Sequence, residues 1–189
     1  MDFRKIRTSK SIKLLFVLLT SALIASASAA VYYSMIMQPS VAITGATIRF
    51  AQGNDWPTGS VLGSNGTWVS LALNAYPNAT LAYDQPLNIS NTDTAAHTFR
   101  LRHITITPAS GQATVANFTF INFVVQNAAG AQQATFNYTT TGNNWNTPAT
   151  TSYLSVPAST QWIIYVEAKA TASANDVTAN IQIAVDVQQ

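Results

Sequence analysis

Asn180-Ile-Gln-Ile-Ala-Val-Asp-Val187 alternates without a break. Ile181, Ile183, Val185 and Val187 fall on one face, and Asn180, Gln182, Ala184 and Asp186 on the other. A period of two with one apolar face belongs to a half-buried antiparallel strand. Upstream, Trp162-Ile-Ile-Tyr-Val-Glu-Ala-Lys169 turns Trp162, Ile164 and Val166 inward and Glu167 and Lys169 outward. Residues 118–125 are apolar on both faces (Phe118, Phe120 and Val124 against Ile121, Phe123 and Val125), as a strand in the middle of a sheet would be. Further strands are expected at 41–50, 67–72, 87–91, 97–107, 134–139 and 153–156, separated by Gly, Pro, Asn and Asp clusters. Past residue 30 no segment carries a helical period. About nine short strands with turn signals between them predict an all-β chain folded as an immunoglobulin-like β-sandwich. The Cys…Trp…Cys pattern of true immunoglobulin domains is missing, so the prediction concerns the architecture alone.

Residues 4–13 are basic, residues 14–24 form an apolar run, and Ala25-Ser-Ala-Ser-Ala-Ala30 is a string of small residues. That is the layout of a secretory signal, with Ala27-Ser28-Ala29 as the A-x-A cleavage site. It divides the chain into a signal peptide (1–29), an N-terminal strand (30–44) and a sandwich domain (45–189). Two arrangements compete with this one. Residues 14–37 are long enough to span a bilayer as a retained anchor, and a type IV pilin would keep the apolar helix as a filament core. Against both, the run loses hydrophobicity at residues 26–30 and turns into Val31-Tyr32-Tyr33-Ser34.

Of 189 residues only 8% are charged and 48% are hydrophobic, and the pI near 9.0 misleads. Five of the nine basic residues (Arg4, Lys5, Arg7, Lys10 and Lys13) lie in the leader. From residue 30 onward Arg49, Arg100, Arg102 and Lys169 face Asp55, Asp84, Asp93, Glu167, Asp176 and Asp186, and four minus six is −2. Four scattered cations build no phosphate-neutralising face, so no nucleic-acid partner is expected. Nor do they make a polybasic membrane surface, and processing at Ala29 would leave no stable membrane anchor.

Thr, Ser, Asn and Gln supply the polar surface instead, with 22, 11, 15 and 11 of them from residue 30 on. Amides and hydroxyls are indifferent to pH and salt and lack the charge repulsion that keeps soluble proteins apart. Sequons for N-glycosylation stand at Asn65, Asn78, Asn88, Asn117 and Asn137. Asn65, in a Gly-rich turn, and Asn137, before a polar loop, are the expected accessible sites.

The inventory for catalysis is thin. Cysteine is absent, which removes disulfides, thiolate metal sites and a cysteine nucleophile. His97 and His103 share a strand face but stand about 20 Å apart, too far to share a metal. The chain carries no H-E-x-x-H, G-x-S-x-G, P-loop or calcium-loop pattern. We expect no enzyme activity, no catalytic or metal residues and no cofactor. Arg100 and Arg102 share a face, as do Glu167 and Lys169, so ion pairs between the two strands are expected. Lys169, the one lysine past the leader, is either a solvated surface residue or the donor of a Lys–Asn isopeptide bond.

Residues 31–43 (Val31, Tyr32, Tyr33, Met35, Ile36, Met37, Val41 and Ile43 around Gln38-Pro39-Ser40) are apolar and uncharged where chain termini are ordinarily polar. Such a strand pairs either within its own sheet or with the sheet of a neighbour.

Leu87-Asn-Ile-Ser-Asn-Thr-Asp-Thr-Ala-Ala-His-Thr-Phe-Arg-Leu101 is similar to the strand, Asn-Thr-(Gly/Asp), strand segment of the TasA/camelysin family of filament subunits. So are residues 153–168, Tyr153-Leu-Ser-Val-Pro-Ala-Ser-Thr-Gln-Trp-Ile-Ile-Tyr-Val-Glu-Ala168, followed by 177–187. Within that group the chain most resembles the archaeal bundling pilins, and the archaeal thread pilins next. The resemblance implies a secreted jelly-roll or immunoglobulin-like subunit that polymerises with identical subunits by donor-strand complementation. Val31, Tyr33, Met35, Met37, Val41 and Ile43 would be the donor strand. It implies a cell-surface filament used in adhesion, cell–cell bundling and biofilm matrix. A membrane-anchored carbohydrate-binding sandwich and a type IV pilin-like subunit are the alternatives. Some camelysins are called metalloproteases, but this chain carries no zinc motif. Family members often follow an aromatic pair with an acid, whereas Tyr32-Tyr33 is followed by Ser34.

Overall fold

A computed structural model describes residues 13–15, 17–19, 46–175 and 177–188. The chain divides into two compact units, Met1–Ile43 and Thr44–Gln189. In the first, residues 13–15 and 17–19 are helical. Among the described residues no helix is long and apolar enough to cross a membrane.

The second unit is an all-β sandwich. Its strands are β1 (Ile48–Gln52), β2 (Val61–Leu62), β3 (Trp68–Ala75), β4 (Thr80–Asn91), β5 (His97–Thr107), β6 (Phe118–Gln126), β7 (Gln132–Thr141), β8 (Asn144–Asn146), β9 (Leu154–Val156), β10 (Gln161–Ala170) and β11 (Val177–Gln188). A short 3-10 turn over Ala113–Asn117 leads into β6. Sheet 1 runs β1-β4-β10-β6-β7-β8 and sheet 2 runs β2-β3-β11-β5-β9, with every ladder antiparallel. The pairs β3–β11, β4–β10, β5–β9 and β6–β7 are nested one inside the next. That is one long two-stranded ribbon folded over and wrapped on itself, so of the two sandwich types this is the jelly roll.

Alternation sets the core. On β11, Ala179, Ile181, Ile183 and Val185 are buried, as are Trp162, Ile164, Val166, Ala168 and Ala170 on β10. These central strands are paired on both sides and face each other's sheet across the interior. Phe99 meets Trp162 edge to face with centroids 6.0 Å apart. A second aromatic group joins Phe118, Phe123, Phe136, Tyr138 and Trp145, at centroid spacings of 5.1–6.5 Å. Such offset and edge contacts add to area burial.

β6 lies between β10 and β7, as its apolar sequence predicts. Its faces divide differently from the simple alternation, however. The register slips at Thr119, opposite Lys169 and Ala170, so Phe118 turns inward with Ile121, Phe123 and Val125. Only Phe120 and Val124, with Asn122 between them, stay on the outer face.

Two glycines allow close approach between strands. Gly66 has φ +67 and its carbonyl accepts from the Phe50 N–H at 2.6 Å, and a Cβ there would lie 2.8 Å from the Phe50 carbonyl oxygen. A Cβ on Gly53 would collide with the Gln85 carbonyl.

Candidate assembly surface

β7 is held by β6 along its length, but on its other side β8 pairs only with Thr139–Thr141. Among the described residues no strand covers that side of 132–138. In the other sheet β9 covers only His97–Phe99 of β5. Leu101 is then met by Thr151, whose N–H donates to the Leu101 carbonyl at 3.1 Å and whose hydroxyl accepts from the Leu101 N–H at 2.9 Å. The bare stretches of β5 and β7 stand on the same side of the sandwich. The Tyr138 hydroxyl and His103 Nδ1 bridge them at 2.9 Å, with the two rings edge to face.

Beside β7 lies a cleft of about 560 Å³, lined by Gln133, Ala134, Thr135 and Asn137 on one wall and by residues 148–152 and Leu154 on the other. A strand with open N–H and C=O groups above a cleft is a template for pairing with another chain. Ile104, half-exposed on β5, adds apolar surface near this side. It is the extra residue of a bulge between His103 and Thr105, which turns it outward.

Burial pushes the His103 imidazole below its usual range and raises the Tyr138 phenol far above its own. Both therefore stay neutral near pH 7, and their contact is a neutral hydrogen bond. His97 is engaged elsewhere, with Nε2 2.7 Å from Asp93 Oδ2. Among the described residues no three His, Asp or Glu side chains gather as metal ligands.

The expected ion pair of Arg100 and Arg102 with Glu167 does not form. β5 borders β11, and β10 belongs to the other sheet, so both arginines reach Asp186, at 3.4 and 3.1 Å. Arg100 also lies over the Tyr153 ring, 5.1 Å from its centroid. Glu167 accepts a hydrogen bond from the Tyr165 hydroxyl at 2.8 Å. Lys169 lies on the outer face of sheet 1, across from Phe120 and Thr80.

The donor-strand residues Val31, Tyr33, Met35, Met37, Val41 and Ile43, and the cleavage site at Ala27–Ala29, lie outside the described residues. The sequons separate by burial. Asn65, Asn78 and Asn137 are exposed, Asn117 is half-buried, and Asn88 is buried. Asn88 Nδ2 donates to the Gln52 carbonyl at 3.1 Å and its Oδ1 accepts from Gln85 at 2.9 Å, so in the folded domain that amide is occupied.

Sequence reasoning missed three residues. Asn91 is buried and fastens the β4–β5 turn, Tyr138 closes the open side, and Asn122 keeps a buried Oδ1 without a partner. Asn91 could have been found as an Asn closing an apolar strand, and Asn122 as the one amide in an apolar run.

No family model matches the chain, and no curated protein does. Among solved structures, it is similar to the enzymatically active domain of tailspike protein 4 of bacteriophage CBA120 at 14% identity, with a TM-score of 0.29. The match covers 77% of this chain, which spans 18% of the tailspike chain.

Proposed function

We propose that the chain is the structural subunit of an extracellular archaeal filament of the TasA/camelysin kind, secreted after removal of residues 1–29. Subunits polymerise head to tail by donor-strand complementation, and the filaments serve adhesion, cell–cell bundling and biofilm matrix. The observation that carries this reading is the open edge of β7 over residues 132–138, beside a cleft. The segment 31–37 matches it in length and alternates Val31, Tyr33, Met35 and Met37 on one face. Main-chain hydrogen bonds to β7 supply strength, and alternate side chains supply register. A contact between two different surfaces of one molecule propagates as a fibre when its rotation does not close a ring.

Burying the six apolar donor side chains at about 1.5–3 kcal/mol each gives a gross gain of order 10 kcal/mol. Ordering the tail and immobilising the subunit subtract from it. Pro39 donates to no ladder, so the inserted strand ends or bends there.

A chain beginning at Gly45 is expected to stay monomeric in electron micrographs and by sedimentation. Added synthetic peptide 30–44 is expected to bind it and to protect the amides of 132–138 from hydrogen exchange. Normal filaments from the truncated chain would overturn the donor assignment, and peptide protection of some other strand would overturn the choice of β7.

A further inference from the structure

The outer face of sheet 1 carries side chains in rows set by the strand register. Asn137, Asn122, Glu167 and Ala82 face one another across β7, β6, β10 and β4, and Thr139, Phe120, Lys169 and Thr80 form the next row. Phe120, Asn122, Asn137, Thr139 and Glu167 line a separate shallow cavity of about 300 Å³. Asn122, one of its lining residues, has a buried Oδ1 that no hydrogen bond satisfies. An unmet buried acceptor calls for a donor from outside the chain. The Glu167 carboxylate, already accepting from Tyr165, keeps acceptor capacity on its other lone pairs.

We infer that this cavity is a saccharide seat. A pyranose presents hydroxyls at its rim and C–H groups on its faces. The hydroxyls meet the amides of Asn122 and Asn137 and the Glu167 carboxylate, and a C–H face lies on the Phe120 ring. A few convergent polar groups around an aromatic surface are the general make-up of a small-ligand site. The row from Asn137 to Glu167 crosses two strand spacings, ~10 Å, which suits a disaccharide unit. The carboxylate disfavours anionic sugars, so the ligand is a neutral one. This site shares Asn137 with the cleft beside β7. Its other residues lie on the outer face of sheet 1, and sugar binding there needs no strand pairing.

The sugar has two sources. One is a neutral polysaccharide from outside. The other is a glycan on Asn137 itself, since Asn137 and Thr139 are a sequon inside the seat. In that case a lipid-linked phosphosugar is the donor. The Asn137 Nδ2–C1 bond forms as the C1–O bond to phosphate breaks, the amide gives up a proton, and the lipid phosphate leaves.

Isotope-labelled mature chain made without glycosylation is titrated with cellohexaose, mannohexaose and chitohexaose, following the Phe120 ring and the Asn122 amide by NMR. The same signals are compared in chain from a glycosylating host, whose intact mass reports the sugar on Asn137. An outside ligand predicts saturable shifts at both residues with one of the hexasaccharides. Affinity then falls at least tenfold in Phe120→Ala and in Asn122→Ala, while filament formation is retained. The chain's own glycan predicts the shifts only in the glycosylated chain and their loss in Asn137→Gln. If neither the three hexasaccharides nor a sugar on Asn137 perturbs Phe120 and Asn122, there is no saccharide seat.

Discussion

At the end of β4 both ends of the Asn91 amide are occupied. Nδ2 reaches the carbonyls of Ala95, Val156 and Pro157 at 2.8, 3.2 and 3.0 Å, and Oδ1 accepts from the Asp93 N–H at 3.0 Å. One side chain thus ties the β4–β5 turn to the loop that follows β9. Asn91→Ala would leave the buried Val156 carbonyl without this donor and untie the turn, at a cost of about 1–3 kcal/mol. The expected reading is a lower urea midpoint with an unchanged slope. Titratable residues add a pH dependence in two stages. Burial holds the His103 imidazole below its usual 6.5, so on acidification the unfolded chain takes up its proton first. Stability therefore falls as pH drops below 6.5 and levels off once His103 is protonated in the fold. Two carboxyls act lower down. The hydrogen bond from His97, then the Thr94 N–H, holds Asp93 below its usual 3.8, and the bond from Arg102 does the same for Asp186. Their contribution is present above 3.8 and is lost as pH falls through their folded-state values. Urea midpoints measured from pH 8 to pH 2 are expected to show both stages, and His103→Gln is expected to abolish the upper one alone.

Strands of full length were legible because alternation reports faces directly. The expected 97–107 and 118–125 agree with β5 and β6 to within a residue, and β11 buries the face that its alternation marks. Three features escaped for physical reasons. β2 and β8 are two and three residues long, too short to hold a period. β4 begins seven residues before the expected 87, and Pro86 concealed the extension. It sits where β4 and β10 skip pairing, between Tyr83↔Val166 and Leu87↔Ile164, so the missing N–H leaves no gap in the ladder. Bulges were the third, since each slips the alternation by one residue, as at Ile104 and Thr119. The candidate site was less legible than the fold. Periodicity tells which side of a strand faces the core, whereas an open edge depends on which strand fails to arrive beside it. Nothing in Gln132–Tyr138 marks it as uncovered. For the same reason Arg100 and Arg102 could be placed on a face but not given their partner, Asp186, until β5 and β11 were known to be neighbours.

The molecule as a whole has few charges to offer another copy of itself. From residue 30 onward it carries four basic and six acidic residues. Arg100, Arg102 and Asp186 are committed to one another, and Asp93 to His97. Arg49, Lys169, Asp55, Asp84 and Glu167 are spread thinly over a described surface that is otherwise amide, hydroxyl and scattered apolar groups. If association runs through an apolar strand and main-chain hydrogen bonds, simple salt has little to act on. Between 0.01 and 1 M NaCl the screening length shrinks from about 30 Å to about 3 Å. Exposed ion pairs are worth only about 0–1 kcal/mol, so removing their effect moves the balance little. Apolar burial responds differently, because sulfate is excluded from protein surface and strengthens it. The critical concentration for filament formation, measured by light scattering at fixed pH, is expected to stay within about twofold across that NaCl range. Ammonium sulfate is expected to lower it. A critical concentration that climbs steeply with NaCl would place the assembly free energy in ionic contacts between subunits and leave the open edge of β7 without its proposed role.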